Sequence, residues 1–247
     1  MSGLKSLVGK VALITGGSKG IGRATAIRLA QEGVKIVINY SNDSSAADEV
    51  VKEIGADKAF AVKADAGNVE SISQMVEETA KKFGSLDIVV ASAALMKLGE
   101  LPDVTEADYD TTFNLNVKGP LFLAQKAAAI MKPGSSIILF STTQCAASTV
   151  TPNYLTYCMS KGAIEQMTRV MSKEVAKKGI MLNCVAPGPT ATDLFLKGKS
   201  EQLIKTISGF IPQGRLGKPE EIADTVAFLA GTTWVTGQVL RANGGMA

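Results

Sequence analysis

The sequence predicts an α/β fold, a single doubly wound parallel sheet of about seven strands with helices on both faces. Three observations carry that reading. Short β-branched runs alternate with helical patterns along most of the 247 residues. Several of the runs are almost continuously apolar, as strands covered on both faces are. No linker, repeat or low-complexity tract divides the chain, so residues 1–247 read as one domain.

Taken in order, "KVALIT" (10–15) is the first strand and runs straight into "TGGSKGIG" (15–22) and the helix "RATAIRLAQEG". "VKIVIN" (34–39) and "KAFAVK" (58–63) follow as strands. Asn68 caps the helix "VESISQMVEETAKKF" ahead of the fourth strand, "LDIVVA" (86–91). Thr105 and Asp108 have the spacing of a capping box. The helix that follows, over 116–131, has an apolar stripe at Val117, Leu121, Ala124, Ala128 and Met131, and an irregularity is expected near Gly119-Pro120. "SIILFS" (136–141) is the fifth strand, and "PNYLTYCMSKGAIEQMTRVMSKEVAKKG" a long helix with Ile164, Met167, Met171 and Val175 along one stripe. "IMLNCVA" (180–186) and "GQVLRA" (237–242) complete the sheet. Between them, Pro187–Pro219 has prolines, glycines and one modest helix but no strand. A segment of that length after a strand's C-terminal end is expected to form a small helical lid, approximately 188–218. Its Leu194, Phe195, Ile204 and Phe210 fit a pocket or the core equally well, and Lys197, Lys199 and Lys205 fit a solvated face or an acidic ligand. Pro219, Glu220 and Glu221 open the last helix.

Composition narrows the function. The chain is 46% hydrophobic, yet its apolar runs fall far short of the ~20 residues of a membrane helix. No signal-peptide core is visible. Twenty-six basic against 23 acidic residues give +3, scattered along the chain, so no nucleic-acid footprint appears. Cys145, Cys158 and Cys184 form no CxxC pair, and an odd count disfavours a disulfide framework. With no histidine either, no metal site is expected. A soluble, reduced, cytoplasmic protein fits best.

Glycines directly after the first strand let the backbone approach a diphosphate, and the helix N-terminus behind them offers free N–H groups. Gly16, Ser18, Lys19, Gly20, Ile21 and Gly22 are the candidate residues of that cradle. The second strand ends Asn39, Tyr40, Ser41, Asn42, with no carboxylate before Asp43. An NAD site usually places an acidic residue there, so NADP(H) is favoured over NAD(H), and Asp43 keeps the second open. Tyr157 and Lys161 are i,i+4 neighbours on the long helix, with Cβ atoms about 5–6 Å apart. An ammonium so placed is expected to lower the tyrosine's pKa and make it a proton carrier in a chain without histidine.

TGxxxGIG at 15–22, Asp65 after the third strand, "VVASAA" after the fourth, Asn116 in "NVKG", Tyr157-x3-Lys161 and "NCVAPGPT" at 183–190 stand in one order over nearly the whole chain. In that order the sequence resembles the short-chain dehydrogenase/reductase family, which implies a Rossmann-type sheet. The resemblance implies that Asp65 and Ala66 contact adenine and that Ser92, in the "ASAA" turn, passes beneath the nicotinamide-side ribose. It further implies that Pro187, Gly188 and Thr190 hold the carboxamide, that Lys161 grips ribose hydroxyls and that Asn116 holds a water behind Lys161. The chain departs from the family at Ala91-Ser92-Ala93-Ala94, where an amide is usual, and at the serine after the fifth strand. Counting from the strand puts Thr142 there, whereas counting back from Tyr157 favours Thr143 or Gln144; strand register decides for Thr142.

The expected activity is NADPH-dependent hydride transfer between nicotinamide C4 and a ketone or secondary alcohol, with Asn116, Thr142, Tyr157 and Lys161 as the catalytic set. A non-catalytic NADP-binding regulator and a β-ketoacyl-carrier reductase are the alternatives. A homotetramer is implied by the family, although burial within one chain explains the helix stripes equally well. Cys158, with no base beside it in sequence, reads as an inert thiol.

Overall fold

Seven strands, β1 (Val11–Thr15), β2 (Lys35–Tyr40), β3 (Ala59–Lys63), β4 (Ile88–Ala91), β5 (Ser136–Phe140), β6 (Met181–Pro187) and β7 (Val239–Ala242), form one sheet in the computed structural model, which describes residues 3–247. Every neighbouring pair is parallel, and the order is β3-β2-β1-β4-β5-β6-β7. The helices are α1 (Gly20–Gln31), α2 (Ser44–Ile54), α3 (Val69–Phe83), α4 (Glu106–Phe113), α5 (Gly119–Ile130), α6 (Leu155–Val175), α7 (Asp193–Leu196), α8 (Glu201–Gly209) and α9 (Pro219–Gly231). None among the described residues is long and apolar enough to cross a membrane.

Alternate strand residues face opposite layers. Ile14, Ile36, Ile38, Ile88 and Ile138 pack under α1, α2 and α9. Leu13, Val37, Val89, Ile137 and Leu139 pack under α3, α5 and α6. Two apolar layers per strand explain runs without polar alternation, and each fully buried Leu or Ile contributes roughly 1.5–3 kcal/mol. The winding direction reverses at β1, which has β2 on one side and β4 on the other. A crevice therefore opens above the C-terminal ends of β1 and β4.

Local differences from the sequence reading have physical causes. Asn68 caps α3 as expected, accepting from the Ser71 N–H at 2.9 Å. Thr105 accepts from the Asp108 N–H at 3.1 Å, but the box is only half made, because the Asp108 carboxylate is drawn to the Lys97 ammonium instead. The helix expected from 116 begins as a π turn, Asn114–Lys118, and becomes regular at Gly119. A Cβ on Gly119 would lie 2.2 Å from the Ala66 carbonyl oxygen, so α5 starts pressed onto the loop after β3. The long helix is trimmed to α6 by 3-10 turns at Pro152–Tyr154 and Ala176–Lys178. Its stripe belongs to the chain's own core, with Ile164 and Val175 buried and Met167 and Met171 packed beside them. Ala124, Ala128 and Met131 of the α5 stripe are buried too, and only Leu121 is exposed.

The stretch 188–218 holds α7 and α8 and is pinned at its base. Ala191 N–H donates to the Gly217 carbonyl and Gly217 N–H to that of Pro189, both at 2.9 Å. No side chain of α8 is buried.

Candidate active site

A cleft of about 1050 Å³ lies above the strand ends. At one end β1 turns through Gly16 (φ 64°) and Gly20 (φ 53°), both left-handed. A Cβ on Gly22 would stand 2.2 Å from the Gly16 carbonyl oxygen, so the turn closes on bare backbone. Lys19 precedes α1 without a side-chain cap, and no acidic residue sits in the helix's first turn. The first N–H groups of α1 are thus left to an anion, and the helix dipole adds to the attraction. A diphosphate fits this cradle, and Gly16, Ser18, Lys19, Gly20, Ile21 and Gly22 all line the cleft.

Asn39, whose side chain sequence alone did not place, holds the cradle. It is buried, its Oδ1 accepts from the Gly16 N–H at 3.4 Å and its Nδ2 donates to the Ala64 carbonyl at 2.9 Å. One amide so ties the glycine turn to the loop that presents Asp65 and Ala66, which also line the cleft. Tyr40, Ser41 and Asn42 line it on the same side. Asp43 is otherwise engaged: Lys19 meets its carboxylate at 2.5 Å, and it caps α2 by accepting from the Ala46 N–H at 3.1 Å. The Lys19 ammonium holds that carboxyl below the usual range. Lys63, not singled out from sequence, stands across the ladder from Tyr40 and lines the cleft. Only its register between β2 and β3 reveals it.

At the other end, Thr142 settles on the Tyr157 side. Its hydroxyl stands beside the Tyr157 phenol and accepts from the Gln144 N–H at 3.3 Å. Thr143 also lines the cleft, but its hydroxyl donates to the Ala186 carbonyl at 3.4 Å. The "ASAA" turn is held without the usual amide: Ala93 N–H donates to the Thr15 hydroxyl at 3.1 Å, and Ser92 lines the cleft. Pro187, Gly188 and Thr190 line the wall opposite, the Thr190 hydroxyl donating to the Gly188 carbonyl at 2.9 Å. Of the stretch 188–218, Thr192, Leu194, Phe195 and Lys197 reach the cleft, whereas Ile204 and Phe210 do not. Gln144 and Tyr154 also line it, although sequence gave Tyr154 no role.

Asn116 does not line the cleft. It is buried in the π turn, its Oδ1 accepting from the Leu95 N–H at 3.0 Å and its Nδ2 donating to the Leu95 carbonyl at 2.9 Å and to Ser160 Oγ at 3.1 Å. Both amide hydrogens are occupied, so the side chain clamps the loop after β4 against α6.

The phenol is not acidified as the i,i+4 spacing suggests. Burial pushes Tyr157 above its ordinary value, and the Thr142 hydroxyl only partly opposes this. Lys161 lies 5.8 Å from the centre of the Tyr157 ring, donates from Nζ to the Phe140 carbonyl at 2.9 Å, and is itself brought down to about 8 by burial. Desolvation of both groups outweighs their mutual effect.

Comparison with known proteins fits this architecture. The family model described as enoyl-(acyl carrier protein) reductase matches residues 16–247. Versicolorin reductase 1 of Aspergillus parasiticus is 38% identical over 260 aligned residues, 99% of each chain. Hydroxynaphthalene reductase-like protein Arp2 of Metarhizium guizhouense is 38% identical over 98% of this chain and 96% of its own. Among solved structures, the angucycline C-6 ketoreductase LanV with bound NADP superposes with a TM-score of 0.91 at 36% identity, covering 98% of this chain and 97% of that one. A blue fluorescent protein from a metagenomic library, in complex with NADPH, gives 0.92 at 34% identity over 98% and 100%. With its seven parallel strands, glycine turn and Tyr157–Lys161 helix, the chain belongs to the short-chain dehydrogenase/reductase family.

Proposed function

We propose that the chain is an NADPH-dependent carbonyl reductase in which Tyr157 is the general acid/base. The observation that carries this is the Thr142–Tyr157 hydroxyl pair on the wall of a cleft whose far end is the glycine cradle. Bound NADPH supplies the hydride from nicotinamide C4. The chain's own part is to hold the carbonyl and provide the proton. Thr142 donates a hydrogen bond to the carbonyl oxygen, and Tyr157 donates its proton as that oxygen becomes an alkoxide. A phenol kept protonated by burial is in the form that reduction needs at neutral pH, and alkoxide is the stronger base, so donation runs downhill. The Lys161 ammonium stabilises the phenolate left behind. Asn116 acts at one remove, by fixing the loop after β4. NADP(H) in preference to NAD(H) is supported by the Lys19–Asp43 pair, which leaves no free carboxylate at the end of β2, and by the NADP and NADPH of the two structural neighbours.

For the substrate we propose a fused-ring aromatic ketone. Met96, Leu115, Tyr154, Leu194 and Phe195 give the reacting end apolar walls, and relatives are named for a hydroxynaphthalene and an angucycline. We further propose a homotetramer. The stretch 188–218 would close over the bound pair as a lid.

Tyr157→Phe tests the mechanism. It should bind NADPH as the parent does while turnover falls about 10²–10⁴-fold; near-normal kcat contradicts the role. A panel of ketones followed by NADPH oxidation separates the alternatives. Tight cofactor binding with no turnover on any member would favour a regulator, and preference for β-ketoacyl thioesters a carrier reductase.

A further inference from the structure

Two of the three cysteines, which no sequence pattern joins, meet beside the catalytic hydroxyls. Cys145 ends the short 3-10 turn that Thr142 begins, and Cys158 follows Tyr157 on α6. The Cys145 side chain is turned toward α6, and its thiol lies against the Cys158 backbone. The Cys145 thiol donates to the Cys158 carbonyl at 3.7 Å, and the Ser141 hydroxyl reaches the Cys145 sulfur at 3.7 Å. Both cysteines are half-buried, whereas Cys184 is buried under the sheet.

We propose that Cys145 and Cys158 are a peroxide-oxidisable dithiol, and that closing it to a disulfide turns the reductase off. The Cys145 sulfur already stands 3.7 Å from the Cys158 carbonyl oxygen, and closure brings the two sulfurs to about 2.05 Å, whereas thiols on rigid elements facing apart could not be joined. The pair is also divided in reactivity. The neighbouring Cys158 side chain lowers the Cys145 thiol, against the opposing effect of its burial, with smaller help from Ser141 and Lys161. Cys145 in turn pushes Cys158 up. A lowered thiol has a larger thiolate share, and the thiolate is the nucleophile. Cys158 is not the first nucleophile but the second, a role its reading from sequence as an inert thiol did not give it.

Hydrogen peroxide is the oxidant. The Cys145 thiolate attacks one peroxide oxygen, an S–O bond forms, the O–O bond breaks, and the leaving hydroxide takes a proton to become water. Cys145 is then a sulfenic acid. The Cys158 sulfur attacks it, an S–S bond forms, the S–O bond breaks, and the second hydroxide leaves as water with the Cys158 proton. Two thiols and one peroxide give one disulfide and two waters. The new bond fastens the turn carrying Thr142 to the helix carrying Tyr157. Drawing the sulfurs together shifts one catalytic hydroxyl against the other, and a displacement of about 1 Å in such a pair costs ~10²-fold in rate. The disulfide itself does not depend on the proposed activity; its effect on turnover rests on that reading.

Lys132 precedes Pro133, and no other lysine or arginine occurs before Lys161, so one tryptic peptide carries both cysteines. Treating the whole protein with hydrogen peroxide should lower the thiols titratable in denaturant from three to one, and that peptide should lose two hydrogens in mass. Ketone turnover should fall at least tenfold and return with dithiothreitol. Cys158→Ser should instead accumulate a sulfenic acid trapped by dimedone, and Cys145→Ser should keep its thiols and its turnover at the same peroxide dose. Three thiols remaining, links between chains rather than within the peptide, or full turnover in the cross-linked protein would each overturn the proposal. A protein that forms the link but reduces no ketone before oxidation overturns the activity reading and supports the dithiol.

Discussion

Lys161 is only 4% exposed, and its ammonium has the Phe140 carbonyl as its protein hydrogen-bond partner. Burial brings it from 10.5 to about 8. The folded chain therefore binds fewer protons than the unfolded one between those values. This group's stabilising contribution is complete above the unfolded value and is lost as pH falls through about 8. At pH 7 the burial cost is on the order of 3 kcal/mol, and removing the amine leaves the Phe140 carbonyl unpaired, which costs about 1–3 kcal/mol. Lys161→Met without cofactor should accordingly melt at or slightly above the parent temperature at pH 7 while losing turnover by orders of magnitude. A fall of more than about 5 °C in a thermal scan, well beyond the ~2–4 °C per kcal/mol of a chain this size, would place the lysine among the stabilising residues instead. In the parent, the reduction rate should decline as pH rises through about 8, because the ammonium that stabilises phenolate is lost; a kcat profile flat to pH 10 contradicts that role. The neighbouring threonines separate cleanly. Thr142→Val should cost ~10²-fold in kcat and Thr142→Ser little, whereas Thr143→Val should cost under tenfold, since its hydroxyl serves Ala186. Counting from β5 points to the threonine that stands beside Tyr157, because strand register survives changes in loop length. The direction of the Tyr157 shift was not legible, because it is set by burial from several elements and not by the i,i+4 partner.

At the scale of elements, the β1–α1 turn depends on missing side chains. A Cβ on Gly22 meets the carbonyl oxygen of Gly16 at 2.2 Å, and neither group is a flexible side-chain end. Gly22→Ala should destabilise the fold by roughly 1–3 kcal/mol and abolish NADPH binding, read by denaturant titration and by fluorescence of the bound dinucleotide. Gly162 is the contrast. It lies inside α6 with nothing within 4 Å of an added Cβ. Gly162→Ala should stabilise by about 0.5–1 kcal/mol, and a lowered denaturation midpoint would contradict the open space around it. The strands were readable to within two residues because two-sided burial leaves an apolar signature. The π turn at Asn114–Lys118 was not, because it answers to contacts distant in sequence: Gly119 against Ala66, and Asn116 against Leu95 and Ser160. Asn39 and Lys63 escaped for the same reason, since each acts across strands that only the folded sheet brings together.

At the scale of the molecule, the helix stripes that suggested subunit contacts are largely spent on the chain's own core, so a tetramer must use other surface. A closed homotetramer of dihedral symmetry needs at least two different self-complementary faces, while one face gives only a dimer. Two sets of apolar side chains are exposed, on elements of opposite layers of the sheet. One comprises Leu121 of α5 with Met159 and Val170 of α6. The other comprises Phe228 of α9, Leu240 of the edge strand β7, and Trp234, which is 94% exposed. A fully exposed tryptophan beside an unpaired strand edge is costly surface for a lone chain and good surface for a second copy. Light scattering should then give four times the 25.8 kDa of one chain. Phe228→Asp combined with Trp234→Asp should halve that mass, because the face on α5 and α6 is left intact. A parent protein that scatters as a single chain, or a double variant that remains a tetramer, removes this patch from the assembly.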